Sequence, residues 1–94
     1  MASCDLDAEG LRRQRQRYRR AGEGARLRER SARLLTVEVT PSGAEVVPEL
    51  IEVESSCCPF FELSWNPGAN RFSVGVSDRE HEPALDAIAF ALGL

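Results

Sequence analysis

Alternation of apolar and polar positions is clearest in "FFELSWNPGANRFSVGVS". Phe61, Leu63 and Trp65 share one parity; Phe72, Val74 and Val76 share the other. With "PGAN" as a four-residue loop, this predicts a hairpin pairing Trp65 with Phe72, Leu63 with Val74 and Phe61 with Val76. A second alternation runs through "GEGARLRERSARLLTVEVTPSG". Ala25 and Leu27 share parity with Leu35, Val37 and Val39, and the arginines fall opposite. Direct partners must share a face, so Leu27 pairs with Val37 and Arg26 with Glu38, leaving the turn Ser31-Ala32-Arg33.

Three segments carry a helical period instead. "DAEGLRRQRQRYRRAG" predicts a helix over 7–21, capped by Asp7 and stopped by Gly22. Its apolar stripe is thin, Leu11, Tyr18 and Ala21 with Gln14 between, so little core is expected from it. "PSGAEVVPELIEVESSCC" turns and then becomes helical, with Pro48 in the first turn and Leu50, Val53 and Cys57 on one face. Glu54 and Cys58 lie together on the adjacent flank, and Pro59 ends the helix. "SDREHEPALDAIAFALGL" predicts a last helix capped by Ser77 or Asp78, with Ser77 and Glu80 as a capping box and Pro83 as an alternative start. Leu85, Ile88 and Leu92 form its inner stripe. Ala87, Phe90, Ala91 and Leu94 leave little polar face, which points to a dimer or to contact with the first helix.

The predicted order is α-β-β-α-β-β-α: an α+β fold with a four-stranded antiparallel sheet and helices packed on one face. The 94 residues make a single domain, with 1–6 a mobile tail, 7–21 the Arg-rich helix and 25–93 the sheet and helix core. Strand order is not readable from this pattern.

Charge changes the picture. Residues 1–33 hold ten arginines against five acids, and residues 34–94 hold two arginines against ten acids, so a net charge of −3 conceals halves of opposite sign. The basic helix offers Arg12, Arg13 and Tyr18, and the final helix offers Phe90 and Leu94, as a surface for a homodimer or another protein. Nucleic acid is the weaker expectation, because one short basic helix sits on an otherwise acidic domain without a helix-turn-helix. No apolar run is long enough to span a bilayer, and "MASCDLDAEG" lacks the basic leader and apolar core of a signal peptide. A cytoplasmic chain is expected, with Cys4, Cys57 and Cys58 all as thiols.

Extending the second hairpin backwards sets Pro59 opposite Asp78 and Cys58 near Arg79, which brings His81, the one histidine, towards the vicinal cysteines. Two thiolates and an imidazole suit a soft metal or metalloid ion at Cys57, Cys58 and His81, supported by Glu54, Asp78 and Arg79. The start of the last helix and Arg79 would lower a thiol pKa there, favouring redox sensing. The competing reading makes Cys57 a core residue on the face of Leu50 and Val53, and His81 a solvated first-turn residue. No Gly-rich phosphate loop, Gly-x-Ser-x-Gly elbow or His-Glu-x-x-His occurs, so no catalytic residues are assigned.

Glu54-x-x-Cys57-Cys58-Pro59-Phe60, the Phe/Leu/Trp strand after it, "SDREHEPALDAIAFALG" and the opening "RQRYRRAGEGA" resemble a family of small bacterial proteins common in high-GC genomes. The family has no established activity. The resemblance implies an association with metal-responsive regulators of the mercury-resistance type, and hence soft-metal binding; it assigns Glu54, Cys57, Cys58 and Pro59 as motif positions, with no catalytic role.

Overall fold

The computed structural model describes residues 7–94; the predicted tail and Cys4 lie outside the described residues. The elements are α1 (Ala8–Gly22), β1 (Arg26–Arg30), β2 (Leu34–Glu38), α2 (Pro41–Ala44), α3 (Val47–Cys57), β3 (Phe61–Asn66), β4 (Arg71–Val76) and α4 (Glu82–Ala91), with a 3-10 turn at Arg79–His81. The fold is α+β, and its antiparallel sheet has the order β1-β2-β4-β3. β4 is therefore central. Its Phe72 and Val74 lie opposite Val37 and Leu35 on one side and Trp65 and Leu63 on the other.

That shared parity builds the core. Leu35, Val37, Phe72, Val74 and Val76 turn one face of the sheet towards Val47 and Leu50 of α3 and Leu85, Ile88 and Leu92 of α4. α3 packs along β3, while α4 lies over β4 and β2. The opposite face is polar, with Thr36 and Ser73 joined through their hydroxyls at 2.9 Å. The β3–β4 register is the one the parity predicts.

The first hairpin begins as predicted, Arg26 opposite Glu38 and Leu27 opposite Val37, but a bulge at Arg28 then shifts Glu29 opposite Thr36 and Arg30 opposite Leu35. The slip moves Arg30 to the helix side, where it bonds Asp86 of α4. Arg28 instead holds Glu38, Nε to Oε1 at 2.7 Å, and this bond draws the Glu38 carboxyl below its usual range.

Capping explains the ends. The Asp7 side chain accepts from the Gly10 N–H at 2.7 Å, and α1 runs to Gly22. Thr40 caps α2 through Gly43 N–H, and Pro41 and Pro48 occupy the first turns of α2 and α3. The capping box expected at Ser77 and Glu80 does not form. The 3-10 turn intervenes, Asp78 makes no side-chain cap bond, and α4 starts afresh with Pro83 in its first turn.

α1 corrects the expectation that it adds little core. Tyr18 and Ala21 belong to the core, Gln14 is buried, and α1 packs on α2, α3 and α4. At its end the contact is backbone on backbone: a Cβ on Gly22 would stand 1.8 Å from the Leu92 carbonyl oxygen, so only glycine allows this approach. No described helix is long and apolar enough to cross a membrane.

Candidate functional site

Two features of α1 carry chemistry, and they lie on different faces of the helix. Gln14, Tyr18 and Ala21 repeat at four and three residues on the inward face, with Gln14 and Tyr18 turned to α3 and Ala21 against Gly43 of α2. There Gln14 and Tyr18 meet Glu54, a carboxyl only 6% exposed. Tyr18 OH donates to Glu54 Oε1 at 2.6 Å. Gln14 Nε2 donates to the same oxygen at 3.2 Å and to the Leu50 carbonyl at 3.0 Å. The Cys58 thiol lies near enough to Glu54 for the carboxylate to act on it. Arg17 in turn donates from Nη1 to Gln14 Oε1 at 2.8 Å and pairs with Glu49 at 3.4 Å. Burying a carboxyl costs several kcal/mol unless its lone pairs are met, and here the donors meet them. Among the described residues no buried side-chain nitrogen or oxygen lacks a partner.

The electrostatics follow. Burial raises the Tyr18 phenol, and the neighbouring Glu54 charge and hydrogen bond raise it further. Burial, then the hydrogen bond and charge of Glu54, push Cys58 up to about 12. Activation by Arg79 and the last helix is therefore not what this thiol experiences; at neutral pH it stays protonated and donates.

The expected metal constellation is not assembled. Cys57 is disulfide-bonded, which corrects the expectation of three thiols. His81 stacks on Phe60, ring centroids 4.1 Å apart and planes 17° from parallel. Asp78 is exposed, and Arg79 lines a separate shallow pocket with Arg30, Ala32, Glu82, Pro83 and Asp86. Among the described residues, no three His, Cys, Asp or Glu side chains gather where one ion could be held.

The second feature is a groove of about 830 Å³ between α1 and α4. Ala8, Arg12, Arg15, Gln16 and Arg19 form one wall; Ala87, Phe90, Ala91 and Gly93 form the other. Phe90 is 85% exposed beside it. Arg12, Arg15 and Arg19 are exposed and make no ion pair among the described residues, whereas Arg13, Arg17 and Arg20 are each paired. Of the expected interaction surface, Arg12 and Phe90 meet here. Arg13 is turned to Glu9, Tyr18 is buried on Glu54, and Leu94 is 46% exposed outside the lining.

Sequence reading passed over Gln14, Arg15 and Arg19. A signal existed for each: a glutamine inside an apolar stripe marks a buried polar contact, and arginines at 12, 15 and 19 share a helix face by spacing alone. Comparison with family models, with curated proteins and with solved structures finds no match, so the geometry of α1 with α3 and α4 carries the functional reading.

Proposed function

We propose that this chain is a protein-interaction module that docks a partner in the groove between α1 and α4. The observation that carries the reading is Phe90, 85% exposed against an apolar wall of Ala87 and Ala91 and faced by an arginine row. Isolated exposed apolar residues are ordinary, but an aromatic side chain beside a concave, partly apolar surface is the anatomy of a docking site. A different polypeptide fits better than a second copy. A two-fold dimer through this groove would bring two copies of the row of Arg12, Arg15 and Arg19 into one interface whose lining holds no acid.

The test is a photoreactive phenylalanine analogue at position 90, with position 64 on the polar sheet face as control. The expected result is a discrete heterotypic adduct from position 90 and none from position 64. Equal labelling from both positions, or an adduct of the chain with itself alone, refutes the module.

A second reading is thiol chemistry at the corner between α3 and β3: soft metal or metalloid binding, or redox sensing, by Cys57 and Cys58. One observation favours the redox form of it, a disulfide at Cys57 beside a retained thiol at Cys58. Metal binding would have to displace the Cys58 proton and release Glu54. Native mass spectrometry of reduced protein with zinc, copper(I) and arsenite tests the metal form. A stoichiometric adduct lost in a folded Cys57→Ser/Cys58→Ser variant supports it, and absence of any adduct removes it.

A further inference from the structure

Resting on the docking reading above, we infer that the occupant of the α1–α4 groove is an acidic amphipathic helix supplied by another protein. The argument is charge and shape taken together. Arg12, Arg15 and Arg19 stand at i, i+3 and i+7, so they form one row about 10.5 Å long at 1.5 Å per residue. None of them is neutralised by a described acid. A partner with carboxylates at the same spacing lays one acid beside each guanidinium. Arginine is suited to this, because its planar fork meets a carboxylate with two donors.

The other wall sets the rest of the ligand. Ala87, Phe90 and Ala91 lie at i, i+3 and i+4 on α4, an apolar strip with one large side chain. Small alanines let a second backbone approach, and Phe90 needs an apolar partner of similar size beside it. The lining on α1 runs from Ala8 to Arg19, about 16 Å of helix, so a partner helix of at least about three turns is required to use it. The ligand is therefore acidic along one edge and apolar along the adjacent one. Nucleic acid fits less well: its phosphates would meet the row, but the apolar wall would gain nothing from a backbone, and the chain as a whole is acidic at −3.

The probe is a fluorescein-labelled helical peptide of about 20 residues with glutamates at i, i+3 and i+7 and leucines on the adjacent face, read by fluorescence anisotropy. Three controls accompany it: the same peptide with glutamines for glutamates, one with lysines, and a labelled single-stranded oligonucleotide of similar charge. The acidic peptide is expected to bind tightest and to weaken as salt rises. Arg12→Glu/Arg15→Glu/Arg19→Glu should weaken it by about tenfold or more, and Phe90→Ser by a similar factor. All four side chains are exposed, so circular dichroism should show an unchanged fold.

Equal binding of the glutamine peptide, with Phe90→Ser still disruptive, overturns the acidic partner and leaves the groove standing. Preference for the lysine peptide or the oligonucleotide overturns the assignment of partner class. Failure of every probe to respond to Phe90→Ser overturns the proposal, and the crosslink from position 90 then reports on the groove independently.

Discussion

Removing one oxygen atom from the α1–α3 junction should cost the protein a substantial part of its stability. Tyr18→Phe keeps the ring, which is 4% exposed, and deletes only the hydroxyl that donates to Glu54 Oε1 at 2.6 Å. No cavity of consequence opens, so the transfer and packing contributions nearly cancel. What remains is a buried carboxyl deprived of its shortest donor, with Gln14 Nε2 at 3.2 Å still donating and the Cys58 thiol nearby. A hydrogen bond to a charged group is worth about 1.5–3 kcal/mol, and an acceptor left short in a buried site sits at the upper part of that range. We expect a loss of about 2 kcal/mol. For a domain of this size that lowers Tm by roughly 10 °C and the urea midpoint by about 1–2 M, at unchanged m. Urea titration at pH 7, followed by Trp65 fluorescence and far-ultraviolet circular dichroism, measures it. Glu54→Gln and the double variant complete a cycle, whose coupling should exceed about 1 kcal/mol. A Tyr18→Phe protein within about 0.5 kcal/mol of wild type, with no coupling, would refute the claim that this cluster holds α1 to the domain.

Three further outcomes follow from named contacts. Cys58, pushed up to about 12 from an ordinary thiol value of 9.0, should alkylate with iodoacetamide roughly a thousandfold more slowly than a free thiol at neutral pH, and Glu54→Gln should speed it; peptide mapping showing a plateau by pH 9 would contradict this. Because the folded-state pKa values of Cys58 and Tyr18 are both raised, their contribution to stability is complete below about pH 9 and declines as pH rises through 12; chemical denaturation at pH 8, 10 and 11 should show that fall, and a flat profile would contradict it. Gly22→Ala should destabilise by about 2 kcal/mol although helix propensity alone favours alanine by about 1 kcal/mol, because the new Cβ meets the Leu92 carbonyl at 1.8 Å; a G22A protein as stable as wild type would show that α1 and α4 are not so close.

How far the chain could be read depended on whether the information was local. The β3–β4 register was legible because Phe61, Leu63 and Trp65 and then Phe72, Val74 and Val76 tie each residue to a face, and a slip of one would expose all six. β1 has no such constraint. In Arg-Leu-Arg-Glu-Arg at an exposed edge only Leu27 prefers a face, so a bulge at Arg28 costs little and cannot be seen beforehand. The α1 helix and its Asp7 cap were legible for the same local reasons. Its depth of burial was not, because Gln14 and Tyr18 reach the interior only through a carboxyl forty and thirty-six residues away.

The candidate site divides along the same line. Glu54 and Cys58 share a flank of α3 by spacing, and they do interact. Whether that flank faces water, a metal or another helix depends on the long-range placement of α1, which supplies Tyr18 instead of a cation. Burial, and then the neighbouring Glu54, holds Cys58 as a thiol, where proximity to Arg79 had suggested activation. His81 was brought to the right end of the molecule by the register, but stacking on Phe60 engages its ring. For the groove, exposed Phe90 on the outer face of α4 was foreseeable, and its facing arginines required knowing that α1 packs beside α4.

The most direct test of the docking account is an amide chemical-shift map of the isotope-labelled chain titrated with the acidic helical peptide. The account predicts shifts concentrated at Arg12, Arg15, Arg19, Ala87, Phe90 and Ala91, and absent from Thr36, Ser64 and Ser73 on the polar face of the sheet. Saturating shifts centred on the sheet face or on the Cys57–Cys58 corner, with the groove silent, would contradict it.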